Sequence, residues 1–399
     1  MRIQDKKKIA LVLSGGGIKA AAFHIGVCLA LKEKGFKFVG GTPDQVKKVY
    51  KDGEQKAIRS YVGSSAGSFI STVLASGYTI ESLVNAFEVG LGYNKSFNSY
   101  GLNELKPLSY RHLFAVNGTG IVKSIPNFIK NRSLLSGGWE SVLKNSLSVN
   151  GLFTTKGVES YLRKYVLPVN EFKDLGVELF IIGTQLNHSR KVIFGNFPES
   201  SKTKHHMYVN YAKISQSVAA SGALPPVYAP YGIMEKDGKE IYFYDGEIRE
   251  TLSTHVAADY GADLVISSYS VQPYHYDKDH GSLHQYGMPV IVNQALYQVI
   301  QQKIEKHIEH QQEINSIYRA VEGYLKQANI DPEHRNKVLE IIEKKVGFKP
   351  EVDYIYIHPK SYNHEMFFVD HFSLNPKIME KIAKIGFKSA ISTLRQYGI

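Results

Sequence analysis

The stretch Tyr61-Val62-Gly63-Ser64-Ser65-Ala66-Gly67-Ser68 decides how this chain is read. Before it lies Ala57-Ile58-Arg59-Ser60, short and apolar or β-branched enough to be a strand. After it comes Phe69-Ile70-Ser71-Thr72-Val73-Leu74-Ala75, a helical run stopped by Gly77. Strand, Gly-x-Ser-x-Gly, helix is the layout of a nucleophile elbow. The turn is too tight for side chains on either flank of the serine, so Gly63 and Gly67 stand there. Ser65 would project from the strand end above a helix N-terminus, where developing negative charge is favoured. Ser65 is therefore the candidate nucleophile.

Upstream, Ile9-Ala10-Leu11-Val12-Leu13 is a continuous apolar run, the mark of a strand buried on both faces. Ser14-Gly15-Gly16-Gly17 breaks it, and Ile18 to Lys34 reads as a helix with Gly35 as its stop. Successive amides at Gly15, Gly16 and Gly17 would form a nest able to hold an oxyanion, each donor being worth roughly 3 kcal/mol in a transition state. A nucleotide phosphate loop is the rival. Gly15-Gly16-Gly17-Ile18-Lys19-Ala20 lacks the closing glycine of G-x-G-x-x-G, and no lysine has Walker spacing.

A nucleophilic serine needs a base. The chain has 15 histidines, among them His205-His206, His255, His275, His280, His284 and His358. None has the setting of a late catalytic histidine, though His358, just after a strand, comes closest. His205-His206 lacks a spaced third metal ligand. Asp245-Gly246 directly follows the strand Glu240-Ile241-Tyr242-Phe243-Tyr244, which puts a carboxylate at a strand's carboxyl end, on the nucleophile's edge. Touching the serine, it would act as base in a two-residue arrangement. An ordinary Asp-Gly turn is the competing reading of that dipeptide.

Taken together, Leu13-Ser14-Gly15-Gly16-Gly17-Ile18-Lys19, Gly63-Ser64-Ser65-Ala66-Gly67 and Asp245-Gly246 resemble the patatin-like phospholipase family. Ala220-Ser221-Gly222-Ala223-Leu224-Pro225 and Gly151-Leu152-Phe153 are softer matches. The resemblance runs over about residues 8–270, with weaker similarity in 372–390. It implies an α/β, three-layer patatin-like fold: a central, mostly parallel sheet flanked by helices. It also implies a Ser/Asp dyad without histidine, and hydrolysis of acyl esters of phospholipids or related lipids. Carried over by position, Ser65 is nucleophile, Asp245 is general base, and Gly15, Gly16 and Gly17 form the oxyanion hole. Lys19, at the family's basic position, is implied to orient that loop; Gly63, Gly67 and Gly246 support the turns. No metal or cofactor is needed. Two residues depart from the pattern: Ala20 replaces a glycine, and Glu247 replaces Gly or Ala. A second carboxylate beside Asp245 is expected to raise its pKa or obstruct the site.

The rest of the chain reads as one domain over 1–399, with no repeat or low-complexity linker. From Tyr78 to Asn150 the pattern is irregular, with helices expected at Ile80–Val89 and Trp139–Leu147. The Tyr93–Trp139 segment interleaves aromatics with bases, which suits a lid-like insertion at about 90–140 or a set of core aromatics between solvated lysines. Phe153–Val166 is an expected helix. Strands are expected at Val177–Gly183 and Lys191–Gly195, paired as a hairpin across Leu186–Arg190. Ile214–Ala223 reads as helix, and Asp263–Ser267 and Asp353–Ile357 as strands. A helical elaboration is expected at about 290–350: Val290–Leu325 carries an apolar stripe, and Asp331-Pro332-Glu333 starts a second helix. Pro376–Leu394 is the last helix.

At 399 residues, 43% hydrophobic and 21% charged, the composition is that of an ordinary globular protein. Cys28 is the only cysteine, which excludes an internal disulfide. The net charge of +11 suits an anionic membrane surface or a phosphate-bearing substrate; no nucleic-acid recognition motif accompanies it, and solubility alone is the bland reading. Lys6-Lys7-Lys8 before Ile9 imitates a signal peptide, but glycines, Lys19 and His24 interrupt the apolar run and no cleavage site follows. The expected location is cytoplasmic or peripheral on a membrane, or exported without a cleavable signal. Expected partners are a lipid substrate, a membrane surface and an unidentified activator. Two rivals stay open: a Ser-His-Asp esterase on soluble esters using a histidine such as His358, and a catalytically weak lipid-binding protein of the same fold.

Overall fold

A computed structural model describes residues 5–89, 104–117 and 150–399. All five residues of β1 (Ile9–Leu13) are buried. The glycine turn leads into α1 (Gly17–Glu33). Then follow β2 (Lys37–Phe38), α2 (Pro43–Val49) and β3 (Ala57–Ser64). β3 runs past the expected strand to the residue before Ser65. α3 (Ala66–Ala75) starts at the next residue, and α4 (Ile80–Ala86) is capped by Thr79, whose hydroxyl accepts from the Ser82 amide at 3.2 Å.

Short pieces α5 (Tyr110–Leu113), β4 (Ala115–Val116) and β5 (Phe153–Thr154) precede α6 (Lys156–Tyr165). Most of the lid-like insertion, and the helix expected at Trp139–Leu147, lie outside the described residues. β6 (Glu178–Gln185) and β7 (Lys191–Phe194) form the expected antiparallel hairpin. β8 (Ser201–Lys202), β9 (His206–Val209), α7 (Ile214–Ser221), β10 (Tyr231–Met234) and β11 (Glu240–Asp245) follow. The last third holds α8 (Thr254–Asp259), β12 (Leu264–Ser268), α9 (Met288–Gln327) and α10 (Pro332–Val346). β13 (Asp353–Ile357), α11 (Glu365–Phe368) and α12 (Pro376–Gln396) complete it. Asp331 caps α10 as its sequence promises, accepting from the Glu333 and His334 amides.

Strand order along the main sheet is β13-β12-β1-β3-β6-β7-β9-β8. From β13 to β6 every pairing is parallel, so Ser14, Ser65 and the turn after β12 all leave one edge. β11 joins antiparallel to β6, with Asp245 opposite Gly183. Because β3 places Ser64 opposite Ile182 on that same β6, the register itself brings the end of β11 to the end of β3. Alternation along the strands feeds two cores. Leu11, Leu13, Tyr61 and Ile181 pack under helices α1, α3, α4 and α12 on one face. Ala10, Val12, Val62 and Ile182 meet Val256, Ala257 and Ala258 of α8 on the other. The architecture is a three-layer α/β fold with a mixed, mostly parallel sheet.

Candidate active site

Ser65 is the residue between β3 and α3, with φ 50° and ψ −122°. A side chain rarely adopts that backbone conformation, and such strain is characteristic of functional turns. The flanking glycines are required by space. A methyl group on Gly63 would lie 2.5 Å from the Ser68 Cα, and one on Gly67 would lie 2.2 Å from the Leu13 carbonyl oxygen. The Ser65 amide is held by the Ser221 hydroxyl at 2.8 Å, which in turn donates to the Ile182 carbonyl at 2.5 Å.

The glycine turn lies directly against Ser65: a methyl group on Gly15 would be 2.7 Å from the Ser65 Cβ. Gly16 and Gly17 have φ of 128° and 71°, a conformation that presents successive amides to one side. Gly16 is the N-cap of α1 and Gly17 its first residue, so their N–H groups have no intrahelical acceptor. His24 fixes the turn from behind, its ring nitrogens meeting the Ser14 carbonyl at 2.9 Å and the Ser268 hydroxyl at 2.8 Å. Burial depresses its pKa to about 4, so it serves as a neutral brace.

Asp245 ends β11 and is 1% exposed. Its amide is held by the Ala223 carbonyl at 3.1 Å, and its own carboxyl accepts from the Glu247 amide at 2.9 Å. Burial raises its pKa to about 6, against a side-chain hydrogen bond from Ser65 and the bond from the Glu247 amide. Among the described residues, no imidazole is a group acting on it. The segment Ala220–Leu224 thus touches both partners, Ser221 at the serine and Ala223 at the aspartate.

Lys19 is 1% exposed and turned away from the site. Its ammonium donates to the Tyr297 hydroxyl at 2.7 Å and the Met366 carbonyl at 2.6 Å. Burial lowers its pKa to about 7. Tyr297 comes from α9 and also meets the His371 ring, while the His371 carbonyl accepts from the Lys19 amide at 3.3 Å. Lys19 therefore anchors the start of α1 to α9 and to the segment before α12. The sequence reading gave no role to Tyr297, His371, Ser221 alone or His24; their signal is tertiary.

The remaining histidines lie elsewhere. The His358 ring stacks on Tyr269 with centroids 5.0 Å apart, and its Nδ1 lies 2.9 Å from the Pro359 carbonyl. His206, His255, His307 and His310 line a separate polar cleft with Glu250. Among the described residues no group of three His, Cys, Asp or Glu is arranged to hold a metal. An apolar slot opens at Ser65, walled by Ile18, Phe69, Phe87, Leu108, Val158 and Tyr228. Its lining suits a hydrocarbon chain. Among the described residues no helix is long and apolar enough to cross a membrane.

Glu247 is 8% exposed, and its carboxyl accepts from the Gly15 amide at 2.7 Å. Burial first, then the charge of Asp245, raises its pKa well above the ordinary carboxyl value.

Among solved structures, VipD from Legionella pneumophila aligns with 98% of this chain and 67% of its own, at 16% identity and a TM-score of 0.36. The type III effector protein ExoU aligns with 98% of this chain at 13% identity and a TM-score of 0.31; this chain spans 53% of that one. A complex of full-length SpcU with full-length ExoU, from the type III secretion system of Pseudomonas aeruginosa, gives 13% identity, 98% and 78% coverage, and a TM-score of 0.24. No curated protein matches the sequence. A family model described as patatin-like phospholipase matches residues 11–258, more than half of the chain. The protein belongs to the patatin-like phospholipase family, a family of lipid hydrolases.

Proposed function

We propose that the protein is a serine acyl hydrolase that cleaves fatty-acyl esters of phospholipids or related lipids through Ser65 and Asp245. The observation that carries this reading is the buried Asp245 carboxyl, on which the Ser65 side chain acts, with Ser65 itself held at φ 50° beside the glycine turn. A carboxyl raised to about 6 is a better base than an ordinary aspartate and is still ionised at neutral pH.

The Ser65 Oγ attacks the acyl carbonyl carbon as its proton passes to Asp245. Negative charge on the carbonyl oxygen is stabilised by the amides of the glycine turn and the N-terminal end of α1. The ester C–O bond then breaks, the Asp245 proton goes to the departing alcohol oxygen, and the acyl group stays on Ser65. Water, giving its proton to Asp245, attacks that ester; the bond from the acyl carbon to Ser65 Oγ breaks, Asp245 returns the proton to Oγ, and the fatty acid leaves. The acyl chain lies in the slot walled by Phe69, Phe87 and Leu108. The +11 net charge draws the protein to anionic membrane surfaces.

The test is fatty-acid release from phospholipid, lysophospholipid and neutral glyceride substrates, with and without cell extract to supply an activator. The parent, Ser65→Ala and Asp245→Asn are compared at equal folding. Release by the parent alone supports the reading; undiminished release by either variant overturns it. The Ser-His-Asp rival is tested by His358→Ala, for which full activity is expected.

A further inference from the structure

An acyl carbonyl attacked by Ser65 needs the amides beside Ser65, and one of them is already taken. Glu247 reaches back across the site, and its Oε1 accepts from the Gly15 N–H at 2.7 Å. A methyl group on Gly15 would meet the Glu247 Cγ at 2.4 Å and the Ser65 Cβ at 2.7 Å. The glutamate stem and the nucleophile therefore crowd the same glycine.

The occupant also has the right chemistry. A carboxyl oxygen on a nest amide is the same kind of acceptor as a substrate carbonyl or a released fatty acid. It is held there at a cost. Asp245, two residues away, is a second buried carboxyl, and Glu250 adds further negative charge. Among the described residues, the Gly15 amide is the one hydrogen-bond donor to the Glu247 carboxyl. The Glu250 charge is itself offset by Lys191 at 2.9 Å, and among the described residues no cation is paired with Glu247. A side chain seated by one amide, beside a second buried carboxyl, is one that a substrate can displace.

We propose that Glu247 is an internal occupant of the oxyanion site, and that the acyl carbonyl reaches the glycine nest only after the Glu247 side chain swings out. The inference rests on Ser65 being the nucleophile, and the experiment separates the two. A fluorophosphonate places its phosphoryl oxygen in the same nest as it bonds to the serine, so its labelling rate reads access directly. Rates are measured on the full-length parent and on Glu247→Ala, Glu247→Asp, Glu247→Gln and Ser65→Ala, with circular dichroism to establish folding.

Glu247→Ala removes the occupant, and Glu247→Asp is one methylene too short to reach Gly15. Both are expected to label about tenfold faster than the parent, the scale of one hydrogen bond. Glu247→Gln keeps an acceptor of the same length and is expected to stay within about threefold of the parent. Ser65→Ala is expected not to label. Labelling at Ser65 in the parent, with Ala and Asp no faster, overturns the occupancy proposal and leaves the nucleophile standing. Glu247→Gln as fast as Ala also overturns it, since charge rather than occupancy would then be the barrier. No Ser65-dependent labelling in any variant overturns the nucleophile assignment and this inference with it. If Ala fails to fold, the Asp variant decides.

Discussion

Asp245→Asn is expected to make the protein more stable while removing its activity. Burial holds the Asp245 carboxyl at about 6 in the folded chain, against an ordinary value of 3.8. The unfolded chain therefore gives up this proton more readily than the folded one. Ionised Asp245 thus opposes folding, and the penalty is absent below about pH 4 and complete above about pH 6. That difference corresponds to about 3 kcal/mol at pH 8 and to about half of that at pH 5, where the folded group is still mostly protonated. Asparagine keeps the shape and can still accept from the Glu247 amide, at present a 2.9 Å bond. Urea unfolding at the two pH values should show the variant gaining on the parent as pH rises. Ester hydrolysis should fall by on the order of 10³-fold or more, the contribution of a positioned base acting on the nucleophile. A variant that is less stable than the parent at pH 8, or whose advantage does not grow between pH 5 and 8, would refute the claim that this carboxyl is desolvated.

The same carboxyl sets a rate profile: log kcat/KM of the parent should rise with unit slope toward pH 6 and then flatten, and a profile flat from pH 4.5 upward would contradict Asp245 as base. Ser65→Ala and Ser65→Gly should both be inactive, but the glycine variant should be more stable by about 1 kcal/mol in thermal or denaturant unfolding, because φ 50° strains any residue with a Cβ. Ser221→Ala leaves the Ser65 amide and the Ile182 carbonyl without partners; unfolding should show a loss of about 1–3 kcal/mol, and hydrolysis should drop with KM changing less than kcat.

The fold was legible in the sequence where the pattern was local. The run Ile9–Leu13, the glycine turn and the Gly63–Gly67 elbow gave the first two strand–helix units, and Glu240–Tyr244 gave the strand that ends at Asp245. Shorter pieces escaped. β9 (His206–Val209) has no apolar run, and β10 (Tyr231–Met234) carries a glycine; each is a strand because a neighbour pairs with it. Phe153–Val166 illustrates another limit: its first residues pair with Ala115 and Val116 as β5, so α6 begins only at Lys156. At the site, the glycines, Ser65 and Asp245 announce themselves by type and order. What holds them does not. Ser221, His24 and the Lys19–Tyr297–His371 group meet only because β6, α1 and α9 converge. The sequence marked Glu247 as unusual beside Asp245, but its bond to Gly15, 232 positions away, depends on the register that brings β11 to the end of β6.

The account turns on Ser65 carrying the acyl group, and the most direct measurement is of that bond. The protein is incubated with a short-chain phospholipid or an activated acyl ester, quenched in acid and digested, and the peptides are mapped by mass. The account predicts the mass of one acyl group on the peptide containing Ser65, absent from Ser65→Ala and from protein left to complete turnover. An acyl group on a different residue, or steady fatty-acid release from Ser65→Ala, would contradict it.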